Sequence, residues 1–476
     1  MAKTTHKEIQ FGTDGWRGVI SDNFTFKNVG LVAQAISQWI KKDFRAKDGS
    51  PRRVAVGYDT RFLSGEYAQI VARVLAANGI EVFLSKEAIP TPALSYGVVN
   101  LKGVAGVMIT ASHNPGKFNG IKIKTAQGGG ASTEITDKVE AYLETRPVKT
   151  MSLQEAVQDG RIVMHNFKTA YLKFMKAYVD LDRIKKSRFR IVQDVMHGSG
   201  GGILADVLKG GKVQLTYMRG DVNPWFEGGK PEPVPEYLTD LLKRVKQEPF
   251  DLGLVLDGDA DRIAAVAPGG EFISPQKILG LLILHLVRNR GCQGGVVKTT
   301  CGTELIDNIA RKLDLKLYET PVGFKYISDL MVSKPIIAGG EEAGGMGVQN
   351  YIPERDGNLA GLLLLEMMVY QKKDIRQILR EMEKEFGRFY YERADLPLGT
   401  GTFDVKKIAQ VKTLLGKKVV EVKDFDGVKL IAEDRSWLML RPSGTEPLVR
   451  AYSEARTLKR ARELIELGKG FLEGRF

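Results

Sequence analysis

Short β-rich runs alternate with helical stretches three times along this chain, which limits the fold to βα units on mostly parallel sheets. The first third carries runs at Arg53 to Gly57, Glu81 to Leu84 and Val104 to Ile109. The second carries Arg190 to Val195, Lys212 to Met218 and Asp251 to Leu256, and the third Gly295 to Lys298, Leu315 to Tyr318 and Pro335 to Ala338. Between them lie stretches with apolar residues at helical spacing, such as Tyr67 to Asn78, which Gly79 stops. After about Gly387 the full βα set is lost. Strand-like Trp437 to Leu440 and Leu448 to Tyr452 precede an amphipathic helix from Leu458 to Leu472. At 476 residues the chain is too long for one ordinary core. The expected fold is α/β: three similar domains with mixed, mostly parallel sheets at 1–155, 156–264 and 265–386, and a smaller α+β domain at 387–476.

Composition removes several function classes. With 43% hydrophobic and 27% charged residues the chain is expected to be globular. Its longest apolar stretches, Ile278 to Val287 and Leu359 to Tyr370, hold His285 and Glu366 and fall short of the roughly 20 residues that span a bilayer. The N-terminus has no apolar signal core. Two cysteines, Cys292 and Cys301, make no disulfide framework, so a reduced cytoplasm is the expected home. The net charge of +13 is scattered, its densest run being Lys185-Lys186 with Arg188 and Arg190. No nucleic-acid motif accompanies it. A solvated basic surface that helps draw in phosphates is the simpler reading, with no nucleic-acid or membrane partner.

The unusual residues sit just after strand-like runs, where open α/β sheets bind ligands. Asp257, Asp259 and Asp261 alternate with Gly258 and Ala260. Carboxylates so close repel one another unless a hard cation such as magnesium or calcium neutralises them; the alternative is a solvated polar loop. An EF-hand is excluded, because its glycine and glutamate positions hold Arg262 and Pro268. Arg262, directly after the cluster, suits an anion beside the metal. Thr110 to Pro115 contains Ser112-His113 but no G-x-S-x-G elbow, and alone reads as a turn on Asn114-Pro115. Arg441-Pro442-Ser443-Gly444-Thr445-Glu446-Pro447 offers hydroxyls, a glycine and a guanidinium that suit a phosphate dianion, or a plain turn. Gly340 to Gly345 puts Glu341 and Glu342 on a glycine-rich loop, where they can accept from sugar hydroxyls or face solvent.

Together, these four loops resemble the α-D-phosphohexomutase family, which includes phosphoglucomutase, phosphomannomutase and phosphoglucosamine mutase. The resemblance runs from Phe11-Gly12-Thr13-Asp14-Gly15-Trp16-Arg17-Gly18 to Arg441 through Glu446, with the motifs in the family's order and at similar intervals. It implies four domains around a central cleft and a phosphate carried by Ser112. It implies one magnesium ion on Asp257, Asp259, Asp261 and a phosphoserine oxygen. Arg441, Ser443, Gly444 and Thr445 would grip the non-reacting phosphate, and Glu341, with Glu342 beside it, would read the sugar hydroxyls. Arg17, Lys122, Arg262 and Lys298 match positions near the reacting phosphate. Lys122 would be the general acid/base, with a pKa depressed by neighbouring cations and metal.

The chain departs from the family's Gly-Glu-x-Ser-Gly-His sugar loop by carrying Ala343 and Gly345, and Phe324-Lys325 replaces a histidine that some members have near Gly323. The expected reaction moves phosphate between O1 and O6 of a hexose through a hexose 1,6-bisphosphate, which also serves as activator. Glucose is expected first, mannose second and glucosamine last. The alternatives are a phosphoglucosamine mutase, a metal-dependent sugar phosphatase or an inactive binding paralogue. The chain is expected to be a monomer or homodimer.

Overall fold

The structure, a computed structural model, describes residues 9–44, 52–397, 403–442 and 448–473. Its four sheets follow one another along the chain. The first has six strands in the order Trp16–Val19, Phe118–Thr125, Ala105–Ile109, Arg53–Tyr58, Glu81–Ser85 and Ile162–His165. Its last four strands are parallel, and the first two run antiparallel to their neighbours. The second sheet orders Glu271–Ile273, Ile263–Ala267, Leu252–Leu256, Arg190–Asp194 and Gln214–Met218, and the third Lys316–Thr320, Gly295–Thr299, Ile336–Gly340 and Met346–Val348. The fourth is antiparallel, its strands running from Tyr390–Pro397 to Thr413–Leu414, with the helix Leu458–Leu472 against one face.

All nine expected strands of the α/β domains are present, because strands covered on both faces read as continuous apolar runs. Ala105–Ile109, Leu252–Leu256 and Gly295–Thr299 are buried at every residue. The expected division at 264/265 falls inside the strand Ile263–Ala267, and that at 155/156 inside the helix Leu153–Gln158, ahead of the last strand of the first sheet. Ile162–His165 adds a parallel edge strand to the first sheet, and Ile263–Ala267 folds back as a hairpin on Leu252–Leu256. The aspartate loop is the turn of that hairpin.

The two longest apolar stretches form the helices Pro275–Arg288 and Gly357–Gln371, which pack together inside the third domain. Ser274 caps the first through Lys277 N, with Pro275 at its first position, and Asp356 caps the second through Leu359 N. Their leucines are buried nearly all round, each contributing about 1.5–3 kcal/mol. Glu366 is tolerated among them because His285, Arg290 and the Asp180 N–H all reach its carboxylate. Among the described residues no helix is long and apolar enough to cross a membrane.

Candidate active site

Ser112 sits just past the end of the strand Ala105–Ile109, with its backbone in the left-handed region at φ 53°. Such a conformation costs a serine about 1–3 kcal/mol and persists only where surroundings impose it. The Thr110 hydroxyl accepts from Ser112 N at 2.8 Å. The side chain is buried, and its Oγ donates to Asp257 Oδ2 at 2.8 Å. The serine therefore faces the aspartates of the second domain, not His113. Burial and the cations Arg262, Arg17, Lys122 and Arg61 push the His113 imidazole well below its usual range. His113 is therefore not placed as a base for Ser112.

Asp257, Asp259 and Asp261 converge with one oxygen each inside 4.8 Å, and all three are buried. The loop is pressed onto the serine turn: a Cβ at Gly258 would lie 2.5 Å from the Ser112 carbonyl oxygen. Thr91 of the first domain fixes Asp259 twice, through its hydroxyl to Oδ2 at 2.5 Å and its N–H to the backbone oxygen at 3.0 Å. Burial, then Asp261 and Asp259, push the Asp257 carboxyl well above the usual carboxylate range. Oδ1 of Asp259 and Oδ1 of Asp261 are buried without a hydrogen-bond partner. An all-oxygen, anionic, under-satisfied cluster fits a hard divalent cation such as magnesium.

Lys122 lies on the strand Phe118–Thr125, with Nζ 2.9 Å from Asp14 Oδ2, 2.8 Å from Asp259 Oδ2 and 2.9 Å from Asp261 Oδ2. Burial works to lower its pKa, but these carboxylates overcome it and raise the value above that of an ordinary lysine. Carboxylates, not cations, make its closest contacts. Arg17 donates to Asn114 Oδ1 at 2.7 Å, at the rim of the serine turn. Arg262 donates its N–H to Asp257 Oδ1 at 3.1 Å, and its Nε lies 4.0 Å from Asp261. Ser112, the aspartates, Lys122, Arg17 and Arg262 thus form one cluster drawn from two domains.

Arg355 completes it, a residue that the sequence patterns do not single out. Its guanidinium lies 2.7 Å from Asp14, 2.7 Å from Asp261 and 3.2 Å from Glu341, so it joins the first, second and third domains. Neighbouring Glu354 pairs with Lys124, and Asp356 accepts from the Tyr171 hydroxyl at 2.8 Å. Arg355 also accounts for the glycine at 345 in the Gly340 to Gly345 loop. A Cβ at Gly345 would meet Arg355 Cδ at 2.2 Å, so the arginine fills the space that a side chain at 345 would enter. Glu341 is buried against Arg355. Burial outweighs that cation and pushes its carboxyl up to about 6.

The remaining expected residues stand apart. Glu342 accepts from the Thr299 hydroxyl at 3.2 Å and, with Ala343, lines a cleft of about 700 Å³ between the second, third and fourth domains. Lys298 turns away from the cluster, donating to the Thr303 carbonyl at 3.2 Å and pairing with Asp307. Arg441 is held by Asp426, Nε to Oδ1 at 2.8 Å, while Asp426 Oδ2 accepts from Val322 N of the third domain at 2.7 Å. Ser443, Gly444 and Thr445 lie outside the described residues.

Four family models match in order: the α/β/α domains I, II and III of phosphoglucomutase/phosphomannomutase over residues 8–148, 169–270 and 274–386, and the C-terminal domain over 397–467. A protein of Thermococcus kodakarensis named phosphoglucomutase/phosphomannomutase is 31% identical over 97% of this chain and 98% of its own. A phosphoglucosamine/phosphogalactosamine mutase of Sulfurisphaera tokodaii is 28% identical over 98% of this chain and 99% of its own. A crystal structure from Thermus thermophilus, whose name places it with the phosphomannomutases, superposes with a TM-score of 0.86 at 33% identity, covering 98% of this chain and 99% of that one.

Proposed function

This chain belongs to the phosphoglucomutase/phosphomannomutase family, an isomerase family, and from that membership we propose that it interconverts hexose 1-phosphate and hexose 6-phosphate with Ser112 as phosphate carrier. The observation that carries this reading is the Ser112 Oγ held 2.8 Å from Asp257 at the mouth of the buried aspartate cluster. Asp257, Asp259 and Asp261, with an oxygen of phosphorylated Ser112, would hold one Mg2+, which when bound supplies positive charge to the oxygens of the transferring group.

The chain's own residues perform the rest. The phosphoserine P–O bond breaks as the free sugar hydroxyl forms a new one, and that hydroxyl's proton leaves to a base. Lys122 Nζ, within hydrogen-bond reach of two aspartates, would take that proton once Mg2+ on those carboxylates offsets the negative charge that otherwise keeps the ammonium protonated. Arg17 and Arg262 add charge around the reacting phosphate, and Arg441 holds the distal one. The bisphosphate then turns end for end. Its other phosphate returns to Ser112, and the proton returns to the oxygen left behind.

Glucose phosphates are the preferred substrates and mannose phosphates second, since the Glu341-Glu342 pair departs from the Gly-Glu-Gln-Ser-Gly-His form of glucosamine mutases. A glucosamine phosphate substrate is the second reading, favoured by the name of the Sulfurisphaera relative. One assay separates the possibilities: glucose 1-phosphate with Mg2+ and a trace of glucose 1,6-bisphosphate. Glucose 6-phosphate is expected, and none from Ser112→Ala. Release of inorganic phosphate instead marks a phosphatase. The highest kcat/KM on glucosamine phosphate overturns the sugar assignment alone.

A further inference from the structure

Arg61 takes no part in the chemistry above, yet both terminal nitrogens of its guanidinium are given to the serine loop. One terminal nitrogen donates to the carbonyls of Ser112 and Asn114, each at 2.6 Å. The other donates to those of Pro115 at 2.9 Å and Phe118 at 3.0 Å. Its Nε lies 3.2 Å from Asp59 Oδ2, and its face packs 4.8 Å from the Phe226 ring centroid of the second domain. Asp59 is itself fixed, with Oδ1 accepting from Arg61 N at 3.0 Å and from the Ser64 hydroxyl at 2.8 Å. Both side chains are fully buried.

We propose that Arg61 is a positioning residue for phosphoryl transfer: its forked donors clamp four loop carbonyls and so hold Ser112 in its left-handed conformation, facing the aspartates. A loop whose carbonyls all point inward needs donors in a fixed, divergent array. Guanidinium supplies five N–H groups in one plane, whereas an ammonium is a point donor. The Ser112 carbonyl that Arg61 grips is also the atom against which Gly258 packs. Releasing the clamp therefore frees both the serine backbone and the spacing between Ser112 Oγ and Asp257. Arg61 reaches none of the groups assigned to the sugar or the distal phosphate, so its loss acts on transfer and not on capture of a monophosphate.

The inference rests on Ser112 being the carrier, and the two fail differently: an active Ser112→Ala protein removes the carrier reading, whereas Arg61 is tested in protein whose Ser112 is intact. Arg61→Lys keeps the charge and the Asp59 pairing but loses the fork. Phosphorylation of the dephosphorylated enzyme by glucose 1,6-bisphosphate, followed by rapid quench, should slow by about a hundredfold. KM for glucose 1-phosphate should stay within about twofold of the parent. Arg61→Ala should regain transfer with added guanidinium and not with methylammonium, which carries the same charge without the planar fork. Wild-type transfer rates in Arg61→Lys overturn the proposal. So does a loss that matches the unfolded fraction seen by circular dichroism, or equal rescue of Arg61→Ala by both cations.

Discussion

Replacing Gly345 by alanine isolates the substitution of Arg355 for a side chain on the Gly340 to Gly345 loop. The new Cβ would lie 2.2 Å from Arg355 Cδ, 2.9 Å from Cγ and 3.0 Å from Glu341 Oε2. The arginine cannot swing away, because its guanidinium is held between Asp14, Asp261 and Glu341. Overpacking of this kind costs about 1–3 kcal/mol. Arg355→Ala alone leaves buried carboxylates without their partner, at about 3–5 kcal/mol. The lower end applies, since Lys122 still reaches Asp14 and Asp261 at 2.9 Å.

Once Arg355 is gone, the clash at 345 is gone as well. The double variant should therefore be no less stable than Arg355→Ala, which corresponds to a coupling of about 1–3 kcal/mol in the double-mutant cycle. Urea unfolding of the four proteins measures it, with kcat/KM on glucose 1-phosphate as a second axis. Costs that add to within about 0.5 kcal/mol would show that Arg355 does not occupy the place of the missing side chain.

Asp259→Asn should lower turnover and raise the Mg2+ concentration needed for half-maximal rate; full activity in excess chelator refutes a required metal. Arg441→Ala should raise KM for both the 1- and the 6-phosphate by roughly ten- to a hundredfold, the worth of about 1.5–3 kcal/mol in charge-assisted hydrogen bonds; an effect on one substrate only refutes a shared grip. Glu341, raised from 4.5 to about 6, binds its proton more tightly folded than unfolded, so its contribution to stability declines as pH rises through that interval. Glu341→Gln should abolish about 2 kcal/mol of that decline, leaving the part due to Asp356, which burial also raises to about 6. An unchanged stability–pH slope in Glu341→Gln contradicts the assignment.

Much of this was legible because buried parallel strands leave apolar runs and the aspartate spacing is unusual in itself. The strand Phe118–Thr125 was not, since Asn119-Gly120 reads as a turn; here Gly120 allows close approach, a Cβ there falling 2.6 Å from both the Thr110 and Trp16 carbonyl oxygens. Lys298 illustrates the limit of spacing alone. Side chains alternate faces along Gly295–Thr299, so Thr299 meeting Glu342 sends Lys298 to the other side, against Asp307, and no sequence pattern chooses between the two faces. Arg355 is hidden because Glu354-Arg355-Asp356 reads as a charged helix start. The signal that could have found it is the glycine at 345, a vacancy that some other side chain has to fill.

The first turnover tests the carrier most directly. Bare Ser112 has its hydroxyl buried and committed as a donor to Asp257. A monophosphate that gave its only phosphate to this serine would leave as free sugar and complete no isomerisation. If Ser112 is the carrier, the productive cycle must start from phosphoserine, and the bisphosphate it makes must turn over before its second transfer. The first three domains are poorly suited to open for that turn, because Arg355 binds all three through buried ion pairs. The fourth is joined to the third by separate ties, among them Lys429 to the Thr300 carbonyl, Lys423 to Glu319 and Asp426 to Val322 N, whose release would leave the cluster intact. Each such opening would give the bisphosphate a chance to escape and leave Ser112 bare. Enzyme treated with a phosphatase should therefore show a lag on glucose 1-phosphate that shortens as glucose 1,6-bisphosphate is added, with the final rate unchanged. A full initial rate from dephosphorylated enzyme without activator would mean that phosphate does not pass through Ser112.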